Sequence, residues 1–196
     1  MGFAQSLKMG RIAESLIARW MIGRGTCILP AYEIEVSSGK GPQLFCPSGS
    51  YVSPDLLAFT KKGLFWIEAK HKTVFAWNRS REVWVTGIDL HHYGQYMQVA
   101  KQTNLPVWLL FFHRESTPSP GDILHGCPPE CPTGLFGGEL FDLVTKENHR
   151  SPPLDFNREG IKGHGRSGMV YWDPSALQLL ATKEEVIAAS EADPVT

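Results

Sequence analysis

Ser53-Pro54-Asp55-Leu56-Leu57-Ala58-Phe59-Thr60-Lys61-Lys62-Gly63-Leu64-Phe65-Trp66-Ile67-Glu68-Ala69-Lys70 is the stretch on which the reading of this chain turns. The segments Leu56–Phe59 and Leu64–Ala69 have strand length and are divided by a Lys-Lys-Gly turn, which predicts two neighbouring strands. Successive side chains on a strand alternate faces. Glu68 and Lys70 therefore point the same way, about 7 Å apart, while Ile67 and Ala69 face the other side. If Lys61 and Lys62 form a two-residue hairpin loop, Asp55 stands opposite Glu68; a three-residue loop with Gly63 as a bulge shifts the register by one. Two carboxylates opposed at roughly 5 Å repel each other unless a cation neutralises both.

Oxygen-only ligands suit a hard ion such as Mg²⁺ or Mn²⁺, which keeps several waters and polarises phosphate oxygens, and this points to phosphodiester hydrolysis. On this reading Asp55 and Glu68 bind the ion, the Ala69 carbonyl adds a ligand, and Lys70 orients or helps activate an attacking water. The competing reading is a surface hairpin with a cross-strand ion pair. It is the weaker of the two, because acidic groups flanked by apolar runs are awkward to bury without a metal.

Upstream, residues 11–24 carry Ile12, Ala13, Leu16, Ile17, Trp20 and Met21 at helical spacing and end at Gly23 and Gly25, which predicts a helix. Glu14 lies at the edge of that stripe and is the candidate third carboxylate, although Arg11 and Arg19 also fit it as an ordinary helix-surface group. Ala31–Val36 reads as a further strand, making a meander of three with the hairpin. Downstream come a strand at Glu82–Thr86, a helix at Asp89–Gln102 and an apolar strand at Pro106–His113. This order predicts one α/β domain over residues 1–196, a mixed central sheet with flanking helices. Its core spans about 11–113 and 169–190. Residues 116–168 shift to Pro, Gly and polar residues and read as an irregular excursion, with Leu135, Phe136, Leu140, Phe141 and Leu143 as a possible strand within it. Met169–Trp172 reads as a last strand, followed by a helix with Asp173 as N-cap and Pro174 at its first position.

Pro54-Asp55 with Glu68-Ala69-Lys70, preceded by a helical Glu14, resembles the PD-(D/E)XK nuclease superfamily over about residues 11–113. The resemblance implies a restriction-endonuclease-like α-β-β-β-α-β core. It also implies Mg²⁺-dependent cleavage of DNA, less often RNA, with Glu14, Asp55, Glu68 and Lys70 in the roles given above. Related nucleases often place a Gln or Tyr of the second helix near the site, which makes Tyr93, Gln95 and Gln98 candidates for substrate contact. Tyr93, Tyr96, Met97 and Ala100 also form that helix's core stripe.

Other features are read on their own chemistry. Lys72 continues the strand beyond Lys70, where a solvated edge and a phosphate contact explain it equally well. Trp77, beside Asn78, Arg79 and Arg81, is an aromatic flanked by arginines that could stack on a base; an exposed loop is the simpler reading. Cys127 and Cys131, with His125 and Cys46, have a spacing that admits zinc, but no second pair is present, and a proline-rich loop with two free thiols is favoured.

With 20% charged residues and a formal net charge of −1, the chain as a whole has no electrostatic signature of a nucleic-acid binder, so any DNA contact must come from a local patch. No apolar run is long enough to cross a bilayer, and four scattered cysteines do not make a disulfide framework. A soluble cytoplasmic enzyme is the expectation. A nuclease-fold protein that binds nucleic acid or a protein partner without turnover is the alternative.

Overall fold

The structure, a computed structural model, describes residues 3–31, 42–152 and 168–191. In chain order its elements are α1 (Phe3–Gly23), β1 (Cys27–Pro30), β2 (Gln43–Cys46), β3 (Gly49–Val52), β4 (Leu56–Thr60), β5 (Gly63–Lys72), β6 (Ala76–Asn78), β7 (Val83–Asp89), α2 (Leu90–Thr103), β8 (Val107–His113), α3 (Pro120–Leu124), β9 (Gly134–Glu139), α4 (Leu140–Val144), β10 (His149–Ser151), β11 (Met169–Trp172), β12 (Gln178–Ala181) and α5 (Lys183–Glu191). A single 3-10 turn at Pro174–Ala176 precedes β12.

The periodicity of the first helix carries through to packing. Ile17 and Met21 are buried, and α1 stops at Gly23 as its sequence predicts, although it begins about two turns earlier than the apolar stripe. The chain then enters a six-stranded sheet in the order β1-β4-β5-β8-β9-β12. β1, β4 and β5 form an antiparallel meander, and β8 pairs parallel with β5, with α2 in the connection between them. A parallel pair needs such a crossover, so the helix follows from the topology. The strand expected at Ala31–Val36 falls almost wholly outside the described residues. The first strand of the meander is Cys27–Pro30, with Leu29 opposite Leu57.

Each face of this sheet buries its own core. On one side α1 and α5 cover Leu56, Ile67, Ala69, Leu110 and Phe112. On the other, α2 supplies Tyr93, Tyr96 and Ala100 against Leu109 and Phe111. The α2 stripe runs through Val99, while Met97 is only half-buried. Asp89 caps α2 by accepting from the His91 N–H at 2.8 Å. A second sheet, β10-β11-β7-β6, closes that core through Trp84, Ile88, Val170 and Trp172.

Two sequence expectations need correction. Residues 116–168 are not an irregular excursion throughout, because Gly134–Glu139 is an interior strand of the main sheet and is buried almost along its length. Leu135 and Phe136 belong to it, as the possible strand in this segment allowed, and packing demands its glycines: a Cβ at Gly137 would lie 2.5 Å from Leu110 Cδ2, and one at Gly138 2.8 Å from Leu143 Cδ2. Leu140, Phe141 and Leu143 are helical, in α4. Asp173 does cap, accepting from the Ser175 N–H at 2.9 Å, but it opens one 3-10 turn that leads into a strand; the last helix begins at Lys183. No described helix is long and apolar enough to cross a membrane.

Candidate functional site

The Lys61-Lys62 turn joins β4 to β5 as a two-residue loop, with Thr60 opposite Gly63 and Leu56 opposite Ile67. Of the two registers open to the sequence, this is the one that brings Asp55 beside Glu68. Asp55 stands just before β4 and is held there by its own side chain, whose Oδ2 accepts from the Ala69 N–H at 2.9 Å. Within a strand the N–H and C=O of one residue point to the same edge, so the Ala69 carbonyl is directed to this side too.

Alternation along β5 sends Ile67 and Ala69 into the α1 core and Glu68 and Lys70 toward α2. Glu68 is 1% exposed, and Lys70 is ion-paired with its Oε1. Glu68 Oε2 is buried without a hydrogen-bond partner. A buried carboxylate oxygen in that state carries its full desolvation penalty.

The surrounding charges are mutually dependent. Burial first, and then the Glu68 charge, push the Asp55 carboxyl well above the usual carboxylate range; Glu14 adds to this, while Lys70 and the Ala69 hydrogen bond act against it. Burial acts to lower the Lys70 pKa, but the carboxylates of Glu68 and Asp55 outweigh it and hold the ammonium above its ordinary value. Lys72 is pushed down to about 8 by burial and by Lys70. From α2, Tyr96 lies beside Glu68, and its hydroxyl is held protonated by burial and by the neighbouring Glu68 and Asp55 charges. His92, one turn earlier, stacks on Tyr96 with ring centroids 5.9 Å apart and feels both Lys70 and Glu68.

The structure thus brings together Asp55, Glu68, Ala69 and Lys70. Glu14 is half-buried on the helix covering the opposite face, and its charge acts on Asp55 and Lys70. Among the described residues, no three His, Cys, Asp or Glu side chains come close enough together to hold a metal ion. The donor chemistry of the pair still fits a hard divalent ion. One buried carboxylate oxygen is unpartnered, a second carboxylate is resisted by burial and by the first, and a carbonyl is directed to the same edge.

Two of the candidates on α2 have their polar atoms engaged by other partners. Tyr93 donates its hydroxyl to Glu147 at 2.6 Å, under the Arg150 guanidinium. Gln95 Oε1 accepts from the Val52 N–H at 3.0 Å and ties α2 to β3. Gln98 is half-buried on the same helix. Trp77 stands opposite Trp84 and packs edge-on against it, centroids 5.0 Å apart, while Arg79 is exposed on the following turn. The Cys131 thiol is buried and donates to the Glu115 carbonyl at 3.3 Å. Sequence reasoning missed His92 and assigned Tyr96 only to the core. The available signal was their i, i+4 spacing, which places both on the helix face turned to the sheet. No family model, curated protein or solved structure matches this chain.

Proposed function

We propose that this chain is a divalent-metal-dependent nuclease of the PD-(D/E)XK type that hydrolyses phosphodiester bonds in DNA. The observation that carries the reading is the register of β4 and β5. It sets Asp55 against the Glu68-Ala69-Lys70 strand and leaves a buried Glu68 oxygen without a partner. The order α1, β1, β4, β5, α2, β8 within the main sheet supports a restriction-endonuclease-like core.

Asp55, Glu68 and the Ala69 carbonyl would hold the ion, with Glu14 approaching from α1. When bound, a Mg²⁺ or Mn²⁺ ion supplies Lewis-acid polarisation of a phosphate oxygen and a more acidic water. The protein's own groups do the positioning. Lys70, an ammonium paired with Glu68, donates hydrogen bonds that orient a water or a phosphate oxygen rather than accepting a proton. Tyr96, with the His92 ring stacked on it, stands beside the Glu68 carboxylate on the α2 side and shields it from bulk water.

The test is incubation with labelled linear, flap, four-way-junction and single-stranded substrates, with Mg²⁺, Mn²⁺, Ca²⁺ or EDTA. Cleavage is expected with Mg²⁺ and Mn²⁺, and binding with little turnover in Ca²⁺, whose larger and looser coordination misplaces the nucleophile. Undiminished cleavage in EDTA removes the reading. A protein of this fold that binds nucleic acid without turnover is the second reading, favoured by the absence of a three-ligand cluster among the described residues. Tight binding with no cleavage of any substrate selects it.

A further inference from the structure

Gly87 on β7 stands opposite Tyr171 on β11, and Tyr171 stands opposite His149 on β10. A side chain at 87 has no room, since its Cβ would lie 2.2 Å from the Val170 carbonyl oxygen and 2.8 Å from Tyr171 Cδ1. Tyr171 thus leans into space that any other residue would fill. His149 stacks on it, with centroids 4.5 Å apart and planes within 9°. Cross-strand pairing and alternation put Val85, Ala76 and Asn78 on this same face, away from the core that Trp84, Ile88 and Trp172 enter. The result is an open groove of about 390 Å³ whose walls include Ala76, Asn78, Val85, His149 and Tyr171, with Arg79 at its rim.

The rim is built rather than loose. The Asn78 amide nitrogen meets the His149 ring at 3.2 Å, and its Oδ1 accepts from the Ser80 hydroxyl at 2.9 Å and the Arg81 N–H at 3.2 Å. The turn beyond it exposes Arg79 and Arg81 against one carboxylate, Glu82.

We propose that this groove is a subsite for an unpaired nucleobase of a single-stranded polynucleotide, the base extending the His149–Tyr171 stack and its flanking phosphates meeting Arg79 and Arg81. The proposal rests on the nucleic-acid reading given above and names the form of the substrate. A flat aromatic stack over an apolar floor suits the face of a base, and only unpaired bases offer that face. The volume lies at the lower end of small-ligand pockets and suits one nucleotide, not a duplex. The same face of β7 leads, about 7 Å beyond Gly87, to Asp89, the cap of the helix that carries His92 and Tyr96 to Glu68. The stacking partner is Tyr171 rather than Trp77, whose ring is taken up by Trp84.

The experiment is fluorescence anisotropy in EDTA with oligo-dT and oligo-rU of about 15 nucleotides, longer than one such site, and a blunt duplex of equal length. The proteins are the wild type, Tyr171→Phe, Tyr171→Leu and Arg79→Ala/Arg81→Ala. Single strands should bind more tightly than duplex. Tyr171→Leu should weaken oligo-dT or oligo-rU by about tenfold or more, and Tyr171→Phe by no more than about twofold. The arginine variant should flatten the salt slope by up to about two units. Should Tyr171→Leu fail to fold, titration of the wild type with dTMP replaces it, and the His149 ring resonances should shift. Single-strand binding unchanged in Tyr171→Leu, or His149 resonances indifferent to dTMP, overturns the proposal while leaving cleavage untouched. Tyr171-dependent binding without any cleavage in Mg²⁺ upholds the groove and removes the nuclease.

Discussion

Asp55 reaches across the end of the β4–β5 hairpin to accept the Ala69 N–H at 2.9 Å, a bond that replaces the strand pairing lost where β4 begins. One carboxylate oxygen is therefore structural, and the charge of the group is left to face Glu68. Asp55→Asn keeps an oxygen to accept that bond and removes the charge. Activity should fall by about 10²-fold or more, the scale of electrostatic contributions to catalysis, with the fold retained. The raised pKa means that the folded chain holds this proton more tightly than the unfolded one, so stability falls as pH rises from the ordinary carboxylate range through the folded value. At neutral pH without metal the Asn variant should therefore melt higher than the wild type. A variant that cleaves normally, or that unfolds, would favour a structural role.

Lys70→Ala distinguishes catalysis from simple phosphate binding. A lysine that only touches the DNA backbone contributes salt-dependent affinity, and its loss flattens the salt slope by about one unit. Because Lys70 is fixed by Glu68 at the heart of the site, its loss is expected to lower the single-turnover rate at saturating DNA by about 10²-fold or more. A rate within about threefold of wild type, short of the general acid–base range, would make Lys70 a binding residue.

Tyr96→Phe removes the hydroxyl beside Glu68 and leaves the ring that fills the core. On the proposed function Tyr96 positions Glu68, and loss of such an outer contact typically costs about 10–100-fold in metal affinity or activity. The expected outcome is a higher Mg²⁺ concentration for half-maximal cleavage with little change in melting temperature. An unaltered Mg²⁺ dependence would return Tyr96 to a packing role.

His113 is 0% exposed and stacks on Phe75 with centroids 3.6 Å apart; burial and then the Lys72 charge push its pKa down to about 3. Between pH 6.5 and 3 the unfolded chain binds a proton that the folded chain refuses, so stability falls as pH drops through that window. From pH 7 to pH 5 this one group should cost about 2 kcal/mol. His113→Phe should shrink the difference between urea midpoints at those two pH values. An equal difference in both proteins would show that His113 is not the source.

The fold was legible wherever period and punctuation agreed. The α1 stripe, the Lys-Lys-Gly turn between β4 and β5 and the start of the second helix are local signals, and local geometry obeys them. β9 was legible only at Leu135 and Phe136, because Gly137 and Gly138 are there for the leucines that press on them from β8 and α4, and such crowding leaves no trace in periodicity. At the site, the shared face of Glu68 and Lys70 followed from strand alternation, while the register that sets Asp55 beside Glu68 was one of two that the turn allowed. His92 and Tyr96 did not, since what singles them out is a neighbour on another strand. Tyr93 and Gln95 illustrate the converse: the resemblance made them candidates on a suitable helix, and Glu147 and Val52 took their polar atoms.

The parallel pairing of β5 with β8 carries a kinetic consequence. Glu14, Asp55, Glu68 and Lys70 all precede Val107, so the whole motif has left the ribosome before the strand that completes its sheet. Until α2 has crossed over and β8 has docked, β5 is an open edge, and closing that loop is the slow, non-local kind of contact. A chain cut before Val107 would contain every motif residue and the whole of α2 and still lack β8, whose Leu109 stands opposite Glu68, so the arrangement around Glu68 is a property of the finished sheet and arrives late in folding.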